Sequence, residues 1–510
     1  MSTPSTIHEL LQAGDGDSIA ISGIARRHLT YDGLRDLTSE TLETLNRLGI
    51  GRNDRVAIVL PNGPEMATAF IAIASCATTA PLNPSYTLEE YDFYLSDLNA
   101  RALLVEKGSD SPAVAAAIAH KIQVLELETH TDLPAGSFTI TTSADDTHAR
   151  STNLGPAGPQ DVALVLHTSG TTSRPKIVPL SHRNVCASAA NIQKTLRLEP
   201  GDVCLNIMPL FHIHGLMAAI LATLGKGASV CCSPGFDALK FFSWLEQANP
   251  TWYTAVPTMH QAILARAKRN KEIVENTRLR FIRSSSSSLP PQVLHELEET
   301  FGVPVIEAYA MTEASHQMTC NQLPPGTRKP GTVGCAAGPE VAIMDESTTD
   351  LLTQGETGEI VIRGENVTLG YENNPAANAE NFVNGWFRTG DQGVMDEDGF
   401  VTITGRLKEI INRGGEKISP REVDEVLLDH PAVQQAVTFA MPHKSLGEEV
   451  AAAVVLREGE TTDEASIRAF ASERLATFKV PRKVLILDEI PKGATGKLQR
   501  IGLAEKLGLV

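Results

Sequence analysis

The chain has 510 residues, 42% of them hydrophobic, so its length and composition predict two or more globular domains with substantial cores. Acidic residues outnumber basic ones 61 to 44, and the net charge of -17 argues against broad binding to nucleic acid or to an anionic membrane surface. The seven cysteines show no Cys-x-x-Cys spacing, which predicts buried thiols rather than a disulfide framework or a zinc site.

The sequence has no secretory signal pattern, no apolar run of membrane-spanning length and no final Ser-Lys-Leu. These features favour a cytoplasmic enzyme without membrane contact, with peroxisomes as the alternative compartment. Composition leaves a monomer and a homodimer equally open.

From the start of the chain to about residue 400, short β-rich runs alternate with helical patterns. The stretch RVAIVLPNGPEMATAFIAIASCATTAPL, which begins at Arg55, predicts a buried strand, a turn and an amphipathic helix. Further strands are predicted at ARALLVEKG, VALVLHTSG, DVCLNIMPL, GASVCCSP and TWYTAVPT. Such alternation is typical of an α/β protein with parallel-type sheets covered by helices.

The character of the chain changes after Gly331. The runs GPEVAIMDE, GEIVIRGENV and GFVTITGR predict a small β-subdomain attached to the larger one. The last hundred or so residues contain two helical patterns and three strand patterns, which predict a small α+β unit. We therefore expect an N-terminal domain over 1–404 and a C-terminal domain over 405–510, joined by one short connection.

Five consecutive serines, Ser284 to Ser288, lie in the stretch FIRSSSSSLPP. Composition alone favours a linker. However, a short strand pattern precedes the serines and a helix that opens on proline follows them. The serines are therefore predicted to form a βα loop, the part of an α/β fold that often carries ligands.

A second loop rich in small polar residues lies in LVLHTSGTTSRPKIVPLSH, residues 164–182. Glycine and hydroxyl residues after a strand allow several backbone N–H groups to converge on phosphate oxygens, and Lys176 can add a point charge. The glycine and Ser/Thr that flank the lysine of the common nucleotide loop are missing. Ile177 follows the lysine instead, and its β-branched side chain predicts an extended backbone at that position.

This second loop resembles the phosphate loop of the adenylate-forming superfamily, which includes acyl-CoA synthetases, peptide-synthetase adenylation domains and beetle luciferases. Other motifs of the family follow in order: MPLFHIHGL at 208–216, YAMTE at 309–313, WFRTGD at 386–391, GRLKEIINRGGEKISP at 405–420 and PKGATGKLQR at 491–500. The resemblance implies a large N-terminal domain, a small mobile C-terminal domain, and an enzyme that uses ATP, Mg²⁺ and coenzyme A to convert a carboxylic acid into a thioester.

The resemblance also implies roles for individual residues. Tyr309 would stack on adenine, Thr312 would bind a phosphate, and Asp391 would accept hydrogen bonds from the ribose hydroxyls, with Arg406 as a further donor. Glu313 would hold Mg²⁺, which is chemically coherent because a carboxylate beside polyphosphate needs an intervening cation. The residues expected to bind ATP or AMP are Thr168, Ser169, Gly170, Thr171, Thr172, Lys176, Glu307, Ala308, Tyr309, Thr312, Asp391, Arg406 and Lys497.

Lys497 lies in the glycine-rich GATGKLQR, and in the family this loop lays its lysine into a distant active site. A cation there would stabilise the negative charge that develops as the acid attacks the α-phosphate. The expected catalytic set is Lys497, Lys176, Thr312 and Glu313. For the coenzyme A step, Lys408 matches the hinge position of the family, and the loop at Gly414 and Gly415 would approach the thiol channel.

The serine run also has a counterpart in the family. Many relatives have SGSAPLP there, beside the acyl group. Here hydroxyls at Ser285, Ser287 and Ser288, together with the shared Ser286 and an imidazole at His316, would make a small polar pocket. Such a pocket favours an acid with a second carboxylate over one with an apolar tail.

The combination of HTSGTTSRPK, PLFHIHGL, RSSSSSL and MTEASHQM is similar to the oxalyl-CoA synthetases of plants and fungi. In that comparison Ser286, Ser288 and His316 would hold the distal carboxylate of oxalate, with His212 at the pocket wall. Malonate is the nearest alternative, although malonyl-CoA synthetases carry an arginine soon after the Val-Pro-Thr strand, where this chain has Gln261. Medium-chain and aryl acids stay open, as does acyl loading of a carrier protein in trans.

Overall fold

The computed structural model describes residues 4–129, 132–142, 151–168, 175–491 and 498–509. Its described residues form four β-sheets with helices packed around them. The predicted α/β fold class is confirmed: a large N-terminal part with two mainly parallel sheets and a small antiparallel sheet precedes a small α+β unit.

The first sheet has seven strands, and its centre is parallel. Antiparallel strands close its two edges. In spatial order the strands are Phe138–Thr142, Gln123–Thr129, Ala102–Glu106, Arg55–Val59, Thr78–Pro81, Val162–Thr168 and Lys176–Ser181.

The second sheet has nine strands, and it too is parallel at its centre with antiparallel edges. In spatial order they are Cys335–Ala336, His316–Cys320, Val305–Met311, Phe281–Ser285, Trp252–Ala255, Val203–Asn206, Ser229–Cys232, Ile19–Gly23 and Leu29–Thr30. The carboxyl ends of its central strands meet at one edge, where α/β folds place their ligands.

The third sheet is the predicted β-subdomain and is antiparallel throughout. It contains Glu340–Met344, Thr357–Arg363, Trp386–Met395, Phe382–Val383 and Val401–Arg406. The fourth sheet belongs to the C-terminal unit and contains Glu416–Ile418, Ile411–Arg413, Gly447–Leu456, Val433–His443 and Lys483–Ile486. Sheet membership therefore changes between Arg406 and Ile411.

Helices cover these sheets, and many begin at a proline or a side-chain cap. Thr87, for example, forms a reciprocal capping box with Glu90. The α-helices are Ile7–Leu10, Tyr31–Arg47, Pro64–Ala74, Leu88–Asp97, Pro112–Ala119, His182–Thr195, Ala222–Leu224, Phe241–Ala248, Pro257–Ala267, Lys271–Glu275, Pro291–Phe301, Pro375–Asn381, Pro420–Leu428, Glu464–Ser472 and Leu503–Lys506. A π-helix spans His214–Leu221, and 3₁₀ turns span Leu11–Ala13, Lys268–Asn270 and Thr312–Ala314.

One helix differs from its prediction. Pro64–Ala74 was expected to be amphipathic, but every residue in it except Glu65 is buried. It lies within the core that joins the two large sheets, so it has no solvent-facing side. The apolar stretch that follows it is the separate strand Thr78–Pro81, which the sequence pattern had not distinguished from the helix.

Two local predictions are confirmed. All seven cysteines are free thiols, and six of them are buried. Ile177 is buried in the extended strand Lys176–Ser181, so its branched side chain is accommodated without a left-handed backbone. None of the helices in the described ranges is long and apolar enough to cross a membrane.

Candidate active site

A cavity of about 810 Å³ is lined by residues of the first three sheets and of the C-terminal unit. Fourteen of the candidate site residues from the sequence line this cavity: Thr168, Lys176, His212, Ser286, Ser287, Ser288, Ala308, Tyr309, Thr312, Glu313, His316, Asp391, Arg406 and Lys408. Five others, Ser169, Gly170, Thr171, Thr172 and Lys497, lie outside the described residues. The fold thus gathers distant motifs around one volume large enough for a nucleotide and a small acid.

The two ends of the proposed phosphate loop are held together. Thr168 pairs with Lys176 across the antiparallel strands Val162–Thr168 and Lys176–Ser181. Both side chains are half-buried at the cavity. Residues 169–174, which connect them, lie outside the described ranges, but their anchor points are fixed by the strand pairing.

Glu313 is buried in the 3₁₀ turn Thr312–Ala314. Burial raises the pKa of its carboxyl group. Tyr371 Oη donates a hydrogen bond of 2.8 Å to Glu313 Oε1, which favours the ionised carboxylate and partly opposes that rise. The Lys176 ammonium lies 4.4 Å from the centroid of the Tyr371 ring, so one phenol contacts both charged side chains.

Asp391 lies on the long strand Trp386–Met395 and faces the neighbouring strand of the third sheet. Its Oδ1 accepts a hydrogen bond of 2.9 Å from Arg406 Nε, and its Oδ2 accepts one from Tyr309 Oη. The backbone N–H of Gly390 donates to Glu359 Oε1 at 2.8 Å, which ties the strand to its neighbour beside Asp391, where their pairing shifts register. The carboxylate is therefore held rigidly and faces the cavity.

Glu307 occupies a different environment from the other candidates. It is 1% exposed, does not line the cavity, and accepts a hydrogen bond of 2.9 Å from the backbone N–H of Leu289. Burial raises the pKa of Glu307 to about 7. Because Leu289 directly follows the serines, the carboxyl group anchors the end of the serine loop.

The serine run is divided between a strand and a loop. Ser284 and Ser285 complete the strand Phe281–Ser285, and both are buried. Ser285 was expected to offer its hydroxyl to the pocket, but it donates to the carbonyl oxygen of Ala308 at 2.9 Å. The cavity is lined by Ser286, Ser287 and Ser288, so the strand ends one residue before the pocket begins.

Two pocket residues have backbones that side-chain-bearing residues rarely adopt. Ser286 has φ of 72° and His316 has φ of 101°. Each such conformation costs about 1–3 kcal/mol and persists where surrounding contacts enforce it, commonly at functional sites. Both residues contact His214, so they lie at the same end of the cavity.

A buried polar cluster lies behind these two residues. His214 Nδ1 is 3.0 Å from Ser286 Oγ, and His214 Nε2 is 2.6 Å from Thr254 Oγ1. The His214 ring stacks on His316 with centroids 4.9 Å apart. Arg283 Nη1 lies 3.2 Å from His316 Nε2. A guanidinium, two imidazoles and two hydroxyls therefore form one continuous network behind the pocket wall.

Lys408, the residue predicted to act as a hinge, lines the cavity. Lys408 is exposed there, and the N–H of the preceding Leu407 donates to the carbonyl of Gly390 at 3.0 Å. Gly414 and Gly415 form the turn between Ile411–Arg413 and Glu416–Ile418, away from the cavity lining. Both have positive φ, of 59° and 97°, a backbone that glycine adopts without strain.

Sequence reasoning missed several members of the site. Of the two histidines in FHIHG it chose His212, which lines the cavity, and passed over His214, which contacts Ser286. The signal that could have identified His214 was its position two residues after His212, which makes it a second candidate in the same motif. Thr254 and Tyr371 carried no signal beyond residue type, and Arg283 was given no role although it directly precedes the serines.

Comparison with known proteins assigns the class. The model of the AMP-binding enzyme family matches residues 11–372, and that of the AMP-binding enzyme C-terminal domain matches residues 422–497. The chain belongs to the AMP-binding enzyme family. The adenylate-forming resemblance seen in the sequence is therefore confirmed.

Particular relatives are similar over most of their length. The chain is 48% identical to an oxalate–CoA ligase of Arabidopsis thaliana, an alignment that covers 95% of this chain and 94% of the relative. It is 45% identical to an oxalate–CoA ligase of Saccharomyces cerevisiae, covering 89% and 87% of the two chains. The crystal structure of ATP-bound MatB from Rhodopseudomonas palustris is 30% identical, with a TM-score of 0.88 and 98% of each chain covered.

Proposed function

We propose that this protein is an ATP-dependent acid–CoA ligase whose acid is oxalate. The observation that carries this proposal is the polar end of the cavity, formed by Ser286, Ser288 and His316, in a chain 48% identical to an oxalate–CoA ligase. A small cavity end with hydroxyl and imidazole groups suits a second carboxylate and leaves an apolar tail without favourable contacts.

In the first half-reaction, a carboxylate oxygen of the acid attacks the α-phosphorus of ATP and pyrophosphate leaves, which gives an acyl-adenylate. Asp391, held by Tyr309 and Arg406, would accept hydrogen bonds from the ribose. Lys176 and Thr312, both at the cavity, would contact phosphate oxygens. These fixed groups would stabilise charge where it develops, since they need no reorganisation during the step.

Glu313 fits a magnesium site. Mg²⁺ in nucleotide enzymes typically takes one or two protein carboxylates and completes its shell with phosphate oxygens and water. Across the described ranges no three His, Cys, Asp or Glu side chains gather into a metal cage, which agrees with a site built on one carboxylate. When bound, the ion would neutralise triphosphate charge, while Tyr371 orients the Glu313 carboxylate through its hydrogen bond.

Lys497 is the proposed cation at the bridging oxygens. It lies outside the described residues, but Leu498, the next residue along the chain, lines the cavity. Arg500 anchors this segment through Asp424 Oδ2 at 2.7 Å and Glu409 Oε2 at 3.3 Å. Residues 498–500, which follow Lys497 in the chain, are thus held at the cavity.

In the second half-reaction, the thiolate of coenzyme A attacks the acyl carbon and AMP leaves. Lys408 would serve as the hinge about which the C-terminal domain, 405–510, turns, and the loop at Gly414 and Gly415 would then approach the thiol. We further propose that the enzyme works in the cytoplasm, as a monomer or homodimer, in oxalate catabolism.

Pyrophosphate release tests the proposal. The enzyme is supplied with MgATP and one acid from oxalate, malonate, acetate, octanoate and coumarate, with and without coenzyme A. We expect oxalate to give the highest kcat/KM and coenzyme A to be required for sustained turnover. Octanoate surpassing oxalate would contradict the polar pocket, and turnover that needs a carrier protein instead of coenzyme A would contradict the thioester acceptor.

Lys497→Ala separates the two half-reactions. We expect it to abolish acid-dependent pyrophosphate release and to spare thioester formation from supplied oxalyl-adenylate. Lys506→Ala, an exposed lysine nearby, is the matched control and should leave both steps intact. Equal loss of both steps in Lys497→Ala would contradict a role confined to adenylation.

A further inference from the structure

Arg283 is a buried cation with no acidic partner in the described part of the chain. Its side chain is 0% exposed. Its contacts are Thr254 Oγ1 at 3.5 Å, His316 Nε2 at 3.2 Å and Gln317 Oε1 at 3.3 Å, all uncharged acceptors. A buried guanidinium is costly unless charge or hydrogen bonds compensate it, so its presence directly behind the pocket needs a reason.

A guanidinium can only donate hydrogen bonds, and this fixes the proton position on His316. Because Arg283 Nη1 donates to His316 Nε2, that nitrogen must be unprotonated. The imidazole is then neutral and carries its proton on Nδ1. His316 borders the cavity although its side chain is buried, so the Nδ1 proton would serve as a donor for an acid bound against this wall.

The same argument orients a second arm. Arg283 Nη1 lies 3.5 Å from Thr254 Oγ1, and its positive charge turns the hydroxyl proton of Thr254 away, toward His214 Nε2 at 2.6 Å. The His214 proton then sits on Nδ1 and is donated to Ser286 Oγ at 3.0 Å. The hydroxyl proton of Ser286 is left to point into the cavity.

We propose that Arg283 is a positioning residue that polarises both arms, so that His316 and Ser286 present donors to the second carboxylate of the acid. Arg283 also supplies the positive charge that the second carboxylate balances. This inference rests on the proposed function, which it deepens: it explains how a pocket lined by neutral groups selects a dianion. The inference also explains why Arg283 lies behind the pocket wall. From there its charge attracts the second carboxylate of the acid, but the two groups form no direct ion pair that would slow release of the product.

The test compares oxalate with acetate, which lacks the second carboxylate, in the full-length enzyme. Arg283→Met keeps the length of the side chain and removes the charge. We expect it to raise the KM for oxalate about tenfold to hundredfold, the range for a lost hydrogen bond to a charged group. The KM for ATP and the kcat/KM for acetate should change by less than about threefold, whereas a purely structural role would affect both acids and ATP alike.

Three further variants sharpen the test. Arg283→Lys keeps the charge and should recover part of the oxalate preference. Thr254→Val conserves volume and breaks only the arm to Ser286, so it should raise the KM for oxalate by a smaller factor than Arg283→Met. Arg278→Met makes the same exchange at an exposed arginine five residues earlier and should have no effect. If Arg283→Met does not fold, Arg283→Lys and Thr254→Val decide the question.

Failure of this inference differs from failure of the proposed function. Turnover of oxalate by the native enzyme, with an oxalate-to-acetate ratio unchanged in folded Arg283→Met, would overturn the inference alone. A native enzyme that prefers another dicarboxylate would overturn the oxalate assignment, and the same ratio is then measured with that acid. Without turnover of any acid, calorimetric titration of oxalate into the AMP-bound protein replaces kinetics. There, equal affinities in native and Arg283→Met protein, or none in either, would overturn the inference.

Discussion

Tyr371 Oη lies 2.8 Å from Glu313 Oε1, and the ring of the same tyrosine lies 4.4 Å from the Lys176 ammonium. One side chain therefore contacts both the carboxylate proposed for Mg²⁺ and the lysine proposed for the phosphates. The tyrosine lies between the strands Thr357–Arg363 and Trp386–Met395 of the third sheet. The next residue, Glu372, donates its N–H to the carbonyl of Ile177 at 3.1 Å and so ties this segment to the strand that carries Lys176. Its position is thus set by the sheet that contains the phosphate-loop lysine.

Tyr371→Phe is expected to weaken ATP use and to shift its pH dependence. Burial raises the pKa of Glu313, and the hydrogen bond from Tyr371 lowers it. Without the phenol the pKa rises further, so the ionised carboxylate needed for Mg²⁺ is lost at a higher pH. The acidic limb of kcat/KM for ATP should move to higher pH, and its plateau should fall about three- to tenfold.

Tyr31→Phe is the matched control for this prediction. Tyr31 is also buried and donates to the carbonyls of Leu224 and Ala228, and none of these three residues lines the cavity. It should lower stability without moving the acidic limb. An unchanged acidic limb in Tyr371→Phe, with Mg²⁺ saturating, would contradict the link between the phenol and Glu313.

Asp391→Asn should raise the KM for ATP by about tenfold to hundredfold. The change removes the charge that Arg406 and Tyr309 contact and one acceptor proposed for the ribose, and hydrogen bonds to charged groups contribute about 1.5–3 kcal/mol each. Steady-state kinetics with oxalate saturating would measure the effect.

Asp396→Asn makes the same exchange just beyond the same strand, at a surface carboxylate that pairs with Lys329 at 2.6 Å. It should leave the KM for ATP unchanged because surface ion pairs contribute little. Similar KM values for the two variants would show that Asp391 does not bind the nucleotide.

Ser288→Ala and His316→Ala should raise the KM for oxalate by about tenfold or more while leaving the KM for ATP nearly unchanged. Both residues line the polar end of the cavity, apart from the Asp391 network. Ser284→Ala is the control, because Ser284 is a buried serine of the same run that does not line the cavity. Loss of oxalate affinity in Ser284→Ala equal to that in Ser288→Ala would point to loop disruption rather than to substrate contact.

The sequence predicted the fold class because it follows from local patterns, whereas the motifs that surround the cavity were predicted from the resemblance to the adenylate-forming superfamily. Alternating strands and helices predict parallel sheets, and the proline-started helix after Phe281–Ser285 correctly placed the serines at a strand end. Local sequence patterns could not predict that this strand ends at Ser285. Whether Ser285 or Ser286 faces the pocket depends on one residue of register, and that register is fixed by pairing with Val305–Met311.

The network behind the pocket was not predictable for a different reason. Its members come from four separated segments, and His214, Thr254, Arg283 and His316 meet only after the second sheet has formed. His214 also opens a π-helix, so ordinary helical spacing does not say which histidine of the pair faces inward. A charged residue in a strand pattern is normally predicted to face solvent. Arg283 is buried instead, because of tertiary packing that the local sequence does not reveal.

Glu307 provides a prediction about stability. Burial raises its pKa from 4.5 to about 7. Between these two pH values the folded chain keeps a proton that the unfolded chain has released. The free energy of unfolding therefore falls as the pH rises through this window, by about 3 kcal/mol at pH 8.

Glu307→Gln should remove this loss. The glutamine stays neutral and its carbonyl can still accept the hydrogen bond from the Leu289 N–H, which the carboxylate accepts at 2.9 Å. We expect the variant to have a higher urea midpoint than the native protein at pH 8 and nearly the same midpoint at pH 5. Glu296→Gln, an exposed glutamate on the helix Pro291–Phe301, should give no such pH-dependent difference. A gain for Glu307→Gln that is equal at both pH values would show that the glutamate carboxyl group does not titrate in this window, and that the benefit comes from the amide itself.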